Sequence, residues 1–295
     1  MTDPLATGLQ IAAGTAAKAI KSDNQDAQAI RQAASGSGAL ERAATVYGRR
    51  MAVRQEVILK LWQPLARFFG VSREYFEQDF AVDLAEKLEG VPEAELQSPK
   101  AVIAGPAIEG LGYSLDEPDL KEMYLNLLAR ASVQTTAPSV HPSFVDVIRQ
   151  LSPEEAPLLS SLLATLRVPA IRIKRTQHPQ EGFSVVAEHV IALGNDLEVP
   201  KWDARVPSWV ENWQRLGLVH VAYTEYITDN AANMYWPYAW VDKHPAKIAA
   251  EQSIPIRQEG ELGPLIEYDK GYIGRTPRGL DFSIAVSEQG RHPRT

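Results

Sequence analysis

Residues 98–163 constrain the fold most, because they spell out four successive helices, each with its own start signal. Ser98-Pro99 is the first: serine is a preferred N-cap, and proline at the first helical position has no amide hydrogen to leave unpaired. Val102, Ile103, Ala107 and Leu111 then share a face, and Gly110 with Gly112 ends the run. Pro106 lies inside it and should kink the helix or remove one hydrogen bond. Asp116 is placed to cap the second helix, with Glu117 and Asp119 at the positive end of the dipole. Leu120, Met123, Tyr124, Leu127, Leu128 and Ala131 repeat at helical spacing and form a wide apolar stripe that needs a partner. A polar link from Thr135 to Val140 leads to His141-Pro142-Ser143-Phe144 and a third helix that turns Phe144, Val145, Ile148 and Leu151 to one side. Ser152 and Glu155 have capping-box spacing at the start of the fourth, with Pro153 where a helix tolerates it. Leu159, Leu162, Leu163 and Leu166 form the stripe behind, and Pro157 should disturb the first turn.

Before this stretch, residues 5–20 read as an alanine-rich, weakly amphipathic helix, and 21–38 as a linker ending in Ala34-Ser35-Gly36-Ser37-Gly38. Residues 39–69 read as one long helix with Val53, Val57, Ile58, Leu61, Leu65 and Phe68 in period, bent at Pro64 and ended by Gly70. Ser72 is placed to cap the next, where Phe76, Phe80, Leu84 and Leu88 step by four along one stripe until Gly90 and Pro92. Asp79 and Asp83 lie one turn apart, a spacing that suits a divalent cation. With no further ligand at matching spacing, a solvated helix face is the simpler reading.

After Leu166 the period changes from helix to strand. Val168 to Ile173 alternates, and Phe183 to Leu193 is rich in β-branched residues. Val206, Trp209, Val210, Trp213 and Leu216 mark a further helix, Gly217 is placed to end it, and Leu218 to Val221 reads as a strand. Gly271 to Arg275 reads as another strand, and Thr276-Pro277-Arg278-Gly279-Leu280-Asp281-Phe282 starts a last helix. This order over about 152–286 has the pattern of a winged-helix domain with an enlarged wing at 228–263. The expected fold is therefore mostly α: an N-terminal helical body followed by a winged-helix-like α/β C-terminal domain. The expected divisions are 1–38, a helix and flexible linker; 39–151, a helical domain; and 152–295, the winged-helix-like domain.

Within 98–163 the blocks Gly105-Pro106-Ala107, Leu120-Lys121-Glu122-Met123, Asn126-Leu127-Leu128-Ala129, His141-Pro142-Ser143-Phe144-Val145 and Gln150-Leu151-Ser152-Pro153-Glu154-Glu155-Ala156 stand in a fixed order. That pattern resembles the abortive infection alpha (Abi-alpha) family of bacterial proteins, and the likeness extends less tightly to about Phe68 and Phe282. The resemblance implies a place in phage resistance. It supplies no catalytic residues to carry over.

Composition narrows the classes. The chain has no cysteine, which removes disulfides, zinc–thiolate sites and a cysteine nucleophile and fits a cytoplasmic location. The net charge of −7 disfavours indiscriminate nucleic-acid binding, which depends on lysine and arginine against phosphate. Its distribution is uneven: residues 1–71 carry nine Lys/Arg against five Asp/Glu, residues 72–125 four against thirteen. The start of the chain, Met1-Thr2-Asp3-Pro4, lacks the basic n-region and apolar core of a signal peptide. No apolar run reaches the roughly 20 residues of a membrane span.

Candidate binding residues follow from chemistry rather than from a recognised catalytic set. His141 precedes a helix whose amides point toward it, so it is an anion or acid–base candidate, or else a cap for that helix. Glu122 and Asn126 lie one turn apart and would either face a pocket or hydrogen-bond the 133–140 link or each other. The cluster Tyr235, Trp236, Tyr238 and Trp240 is of the residue types that dominate binding hot spots. The leading expectation is a non-enzymatic antiphage protein that binds a phage or host protein, with homo-oligomerisation open and no cofactor or metal. The alternatives are a DNA-binding regulator using Lys201, Arg205 and Arg215, and a membrane-acting effector using the N-terminal helices.

Overall fold

The computed structural model describes residues 39–68, 73–176, 182–191, 203–225, 227 and 265–287. The protein is mostly helical, with one four-stranded antiparallel sheet that curls. It divides into two compact units at Arg149/Gln150, and the chain rejoins the first unit at Ala285.

The first unit is built around one enclosed helix. α1 (Ala39–Trp62) passes at Gln63 into a 3-10 turn (Gln63–Phe68), so the long helix expected over 39–69 changes hand-hold at Pro64, whose missing amide cannot continue the α pattern. α2 (Arg73–Gln78) and α3 (Phe80–Lys87) replace the single helix expected there, with a break at Asp79. Even so, Phe76, Phe80, Leu84 and Leu88 are all buried as their spacing requires, and Trp62 meets the edge of Phe80 at 5.0 Å. α4 (Ala101–Tyr113) starts at Lys100 rather than Ser98; its first turn hangs on the Lys100 carbonyl, while Pro99 is buried. Val102 faces solvent at 60% exposure, and the inward face is instead Ile103, Ala104, Ala107, Ile108 and Leu111. Gly110 does not end this helix, which runs on to Tyr113; it is buried, and a Cβ there would overlap the Tyr124 ring.

α5 (Pro118–Ala131) is capped at Glu117, one residue later than expected, because Pro118 takes the first helical position. Its expected stripe is buried, but so are Leu125, Asn126, Ala129 and Arg130, so the helix has no solvent face over its last two turns. α3, α4 and α6 (Ser143–Arg149) surround it. A short β-bridge that periodicity does not announce pairs Leu96 with Val133 and ties the segment before α4 to the end of α5. Arg54 of α1 donates to the carbonyls of Leu88 and Val91, placing a cation at the negative end of α3.

In the second unit the capping box forms: Ser152 N donates to Glu155 Oε1 at 2.7 Å and Glu155 N to Ser152 Oγ at 3.3 Å, ahead of α7 (Ala156–Leu163). The other oxygen, Oε2, accepts the Trp213 indole N–H at 2.8 Å inside the core. Leu159, Leu162 and Leu163 are buried, whereas Leu166 lies past the helix and is 54% exposed. The sheet follows, from β1 (Arg167–Thr176), β2 (Phe183–Val190), β3 (Val219–Ala222) and β4 (Leu265–Arg275), in the order β2-β1-β4-β3. Between β2 and β3, α8 (Val206–Arg215) buries Val206, Val210 and Trp213, while Trp209 is only half-buried beneath the Arg205 guanidinium. Gly217, at φ +73°, supplies the left-handed turn out of α8. Thr276 caps α9 (Pro277–Val286) by accepting Gly279 N and donating to the Gly217 carbonyl, and a Cβ on Gly279 would collide with the Leu218 carbonyl. No helix among the described residues is long and apolar enough to cross a membrane.

Glu155→Ala should remove the reciprocal cap and strand a buried indole N–H, costing about 2–4 kcal/mol. Glu155→Gln, which keeps an acceptor, should lose roughly half as much. Urea unfolding monitored by tryptophan fluorescence measures both, and equal losses would show that hydrogen bonding at this position is not what matters.

Candidate functional site

The richest polar cluster among the described residues is on the curled sheet. In β1, Ile171 and Ile173 point into an apolar cluster with Val190, and the alternate residues Arg172 and Lys174 therefore occupy the opposite face. Across the ladder Arg172 pairs with Asp269 in register; Arg172 Nη2 and Lys174 Nζ approach its two carboxylate oxygens at 2.7 and 2.6 Å. Burial raises the Asp269 carboxyl, but these two cations outweigh it and hold it below its usual range. Tyr223, just beyond β3, lies under the Arg172 guanidinium at 4.7 Å. Gly271 makes this possible, since a Cβ there would strike the Ala222 carbonyl and the Tyr223 ring. Phe183 begins β2 on the other side, 5.5 Å from Arg172 and 4.7 Å from Lys174. Phe183 and Val185 are 52% and 43% exposed, so the cations stand beside an apolar surface.

The curl brings the end of β2 to Tyr223. His189 has φ +54°, the only positive φ at a non-glycine among the described residues, and it is 6% exposed. Its backbone N–H donates to Tyr223 Oη at 2.9 Å, and its Nδ1 lies 2.9 Å from the same oxygen. Burial pushes the Tyr223 phenol up to about 12, so it keeps its proton. Burial likewise lowers the His189 pKa, opposed by Glu188 and Glu211 and reinforced by Arg172. Burial thus favours the neutral form of the ring. A hollow beside it, lined by Glu188, His189, Ile191, Asp203 and Val206, holds about 10 Å³, room for one water rather than a substrate.

The residues singled out from sequence do not converge on this cluster. Glu122 forms an ion pair with Lys87 and is half-exposed. Asn126 is buried and donates from Nδ2 to the Val286 carbonyl at 2.9 Å; neither residue bonds the 133–140 link. His141 is exposed, and its Nδ1 accepts the Ser143 N–H at 3.1 Å at the start of α6, where a helix cap would be. Asp83, half of the suggested cation pair, accepts Tyr75 Oη and pairs with Lys121, both at 2.8 Å. Among the described residues no three His, Asp or Glu side chains converge as metal ligands would. Arg205 pairs with Asp203 at 2.8 Å, and Arg215 donates to Gln150 Oε1 and Asn212 Oδ1. Lys201, the enlarged wing at 228–263 and the aromatics Tyr235, Trp236, Tyr238 and Trp240 lie outside the described residues, as does the N-terminal segment 1–38.

The sheet cluster was missed because it assembles from three separate strands and the segment just beyond β3. Only the alternation of Arg172 and Lys174 with Ile171 and Ile173 signalled an outward polar face. Both it and the helical residues Glu122, Asn126 and His141 fall within the span 72–286, which matches the model of the family described as abortive infection alpha. The chain belongs to the abortive infection alpha family. Membership supports a role in abortive infection at the level of the family. Comparison with curated proteins and with solved structures gave no match.

The depressed His189 pKa makes the second unit pH-sensitive. A histidine held neutral by the fold contributes stability that is complete above the unfolded value of 6.5 and is lost as pH falls toward the lower folded value. Wild-type melting temperature should therefore drop between pH 7 and about pH 5 by more than that of His189→Gln. Parallel pH profiles would remove His189 as the source.

Proposed function

We propose that this protein acts in abortive infection by binding a phage or host protein, without catalysing a reaction itself. Family membership carries the biological context. The observation that favours binding is the outward sheet face, where exposed Phe183 and Val185 stand beside Arg172 and Lys174. Apolar side chains rimmed by cations suit an acidic protein surface. The helix and strand order of the second unit, α7-β1-β2-α8-β3-β4-α9, supports a winged-helix-like reading in which the fold serves protein interaction. The DNA reading is weaker, since Arg205 and Arg215 are both engaged within their own unit rather than presented as a phosphate-binding row. In this proposal the aromatic cluster Tyr235, Trp236, Tyr238 and Trp240 adds a second contact surface.

Infection of cells carrying the protein, at low and high phage-to-cell ratio, is the direct test. Protection should appear as reduced plaquing at low ratio and culture collapse at high ratio. Phe183→Ser with Val185→Ser should reduce plaquing protection at least tenfold while the melting temperature stays near wild type, and Trp236→Ala with Trp240→Ala should abolish it. Full protection in both variants would discard both surfaces.

A further inference from the structure

Arg130 is the feature of the first unit that its packing does not explain. It sits in the last turn of α5, 6% exposed, among residues that are otherwise almost all apolar. Its Nε is wholly enclosed and has no hydrogen-bond partner. Burial alone lowers its pKa, with no neighbouring carboxylate to offset it. Arginine does not deprotonate in response to such burial; it stays charged and needs a counter-charge. The α5 C-terminal dipole supplies part of one, but no acceptor meets the Nε. Elsewhere in this unit cations have acceptors: Arg54 at two carbonyls, Lys121 at Asp83, Arg149 at Glu109.

A second buried orphan follows one residue after a contact made by the same helix. Asn126, one turn before Arg130 on α5, holds the Val286 carbonyl at the end of α9. The next residue, Ser287, has a buried hydroxyl that also lacks a partner. Asn126 therefore stands one turn from an enclosed cationic donor, and its acceptor one residue from an enclosed hydroxyl. Both orphans can donate, and what would satisfy them is an acceptor carrying negative charge.

We propose that Arg130 and Ser287 form a binding site for an oxyanion, a phosphate group or a carboxylate, with Asn126 as the positioning residue that fixes the Val286–Ser287 turn beside it. The planar guanidinium fork matches either group through two parallel hydrogen bonds. The site is independent of the sheet surface proposed for protein binding and stands if that reading fails.

The test is thermal unfolding of the full chain in inorganic phosphate, in acetate and in chloride at matched ionic strength. Near one hundred times its Kd, the preferred oxyanion should raise the melting temperature by roughly 5 °C over chloride. A larger response to phosphate assigns a phosphate source, and one to acetate a carboxylate source. Arg130→Gln should lose the response, and Arg130→Lys, which keeps the charge but not the fork, should lose most of it and serves if the glutamine variant does not fold. Ser287→Ala should weaken binding several-fold in calorimetry. No oxyanion effect on wild type, or the same effect in the Arg130 variants, overturns the proposal.

Discussion

Enclosing α5 on every side is the constraint on which the first unit depends. From Met123 to Val133 every residue is buried, so each neighbour must fill a defined gap. The glycine at position 110 is one consequence: α4 can approach only where it lacks a side chain, and Tyr124 takes that space. The phenol is consequently pushed up to about 12 by burial and stays protonated. The Leu96–Val133 bridge is another, because the chain leaving an enclosed helix needs partners for its backbone at once. Polar side chains in such a helix are costly unless satisfied. Asn126 is satisfied and Arg130 is not, which is why the second, rather than the first, calls for a ligand.

The second unit meets a different difficulty: four strands whose central pair is long and whose β3 is four residues long. Its curl depends on glycines in β4. Gly271 accommodates Tyr223 and Gly274 accommodates the His220 ring, so side chains from β3 and from the residue just after it fold over the long strand. Once Tyr223 lies flat on β4, it can reach the end of β2 and fix His189 in a conformation that costs a non-glycine residue about 1 kcal/mol or more. The stacked Arg172 guanidinium covers the other side of the same ring. One tyrosine thereby links the two ends of the strand order, and the cation that covers it stands at the margin of the exposed apolar surface.

Much of the helical architecture was legible because its signals are local. The stepping of Phe76, Phe80, Leu84 and Leu88, the Ser152–Glu155 box and the Gly217 turn each act within a few residues, and each appears in place. Where local signals competed, sequence reading placed boundaries wrongly by one to three residues. Pro118 overrode Asp116 as the start of α5, and Lys100 overrode Ser98 because Pro99 is drawn into the core. Val53, Val102 and Leu166 kept the apolar period yet face solvent, since periodicity identifies a stripe but not its width. The sheet cluster was not legible at all: Arg172, His189, Tyr223 and Asp269 are brought together only by strand order and curl, neither of which leaves a local trace.

The same distinction bears on function. The blocks that carry the family likeness lie in α4 to α7, and most of their residues are explained by packing: Gly105 and Ala107 buried in α4, Met123 and Leu127 in α5, Phe144 and Val145 in α6, and Glu155 beneath Trp213. Residues committed to packing leave the surface chemistry open, and one architecture can therefore serve different partners. Arg130 is the exception, because it is buried among packed side chains while its Nε has no partner. An apolar side chain of similar volume would stabilise the core more than a buried charge, and the proposed oxyanion accounts for the charge by giving it something to bind.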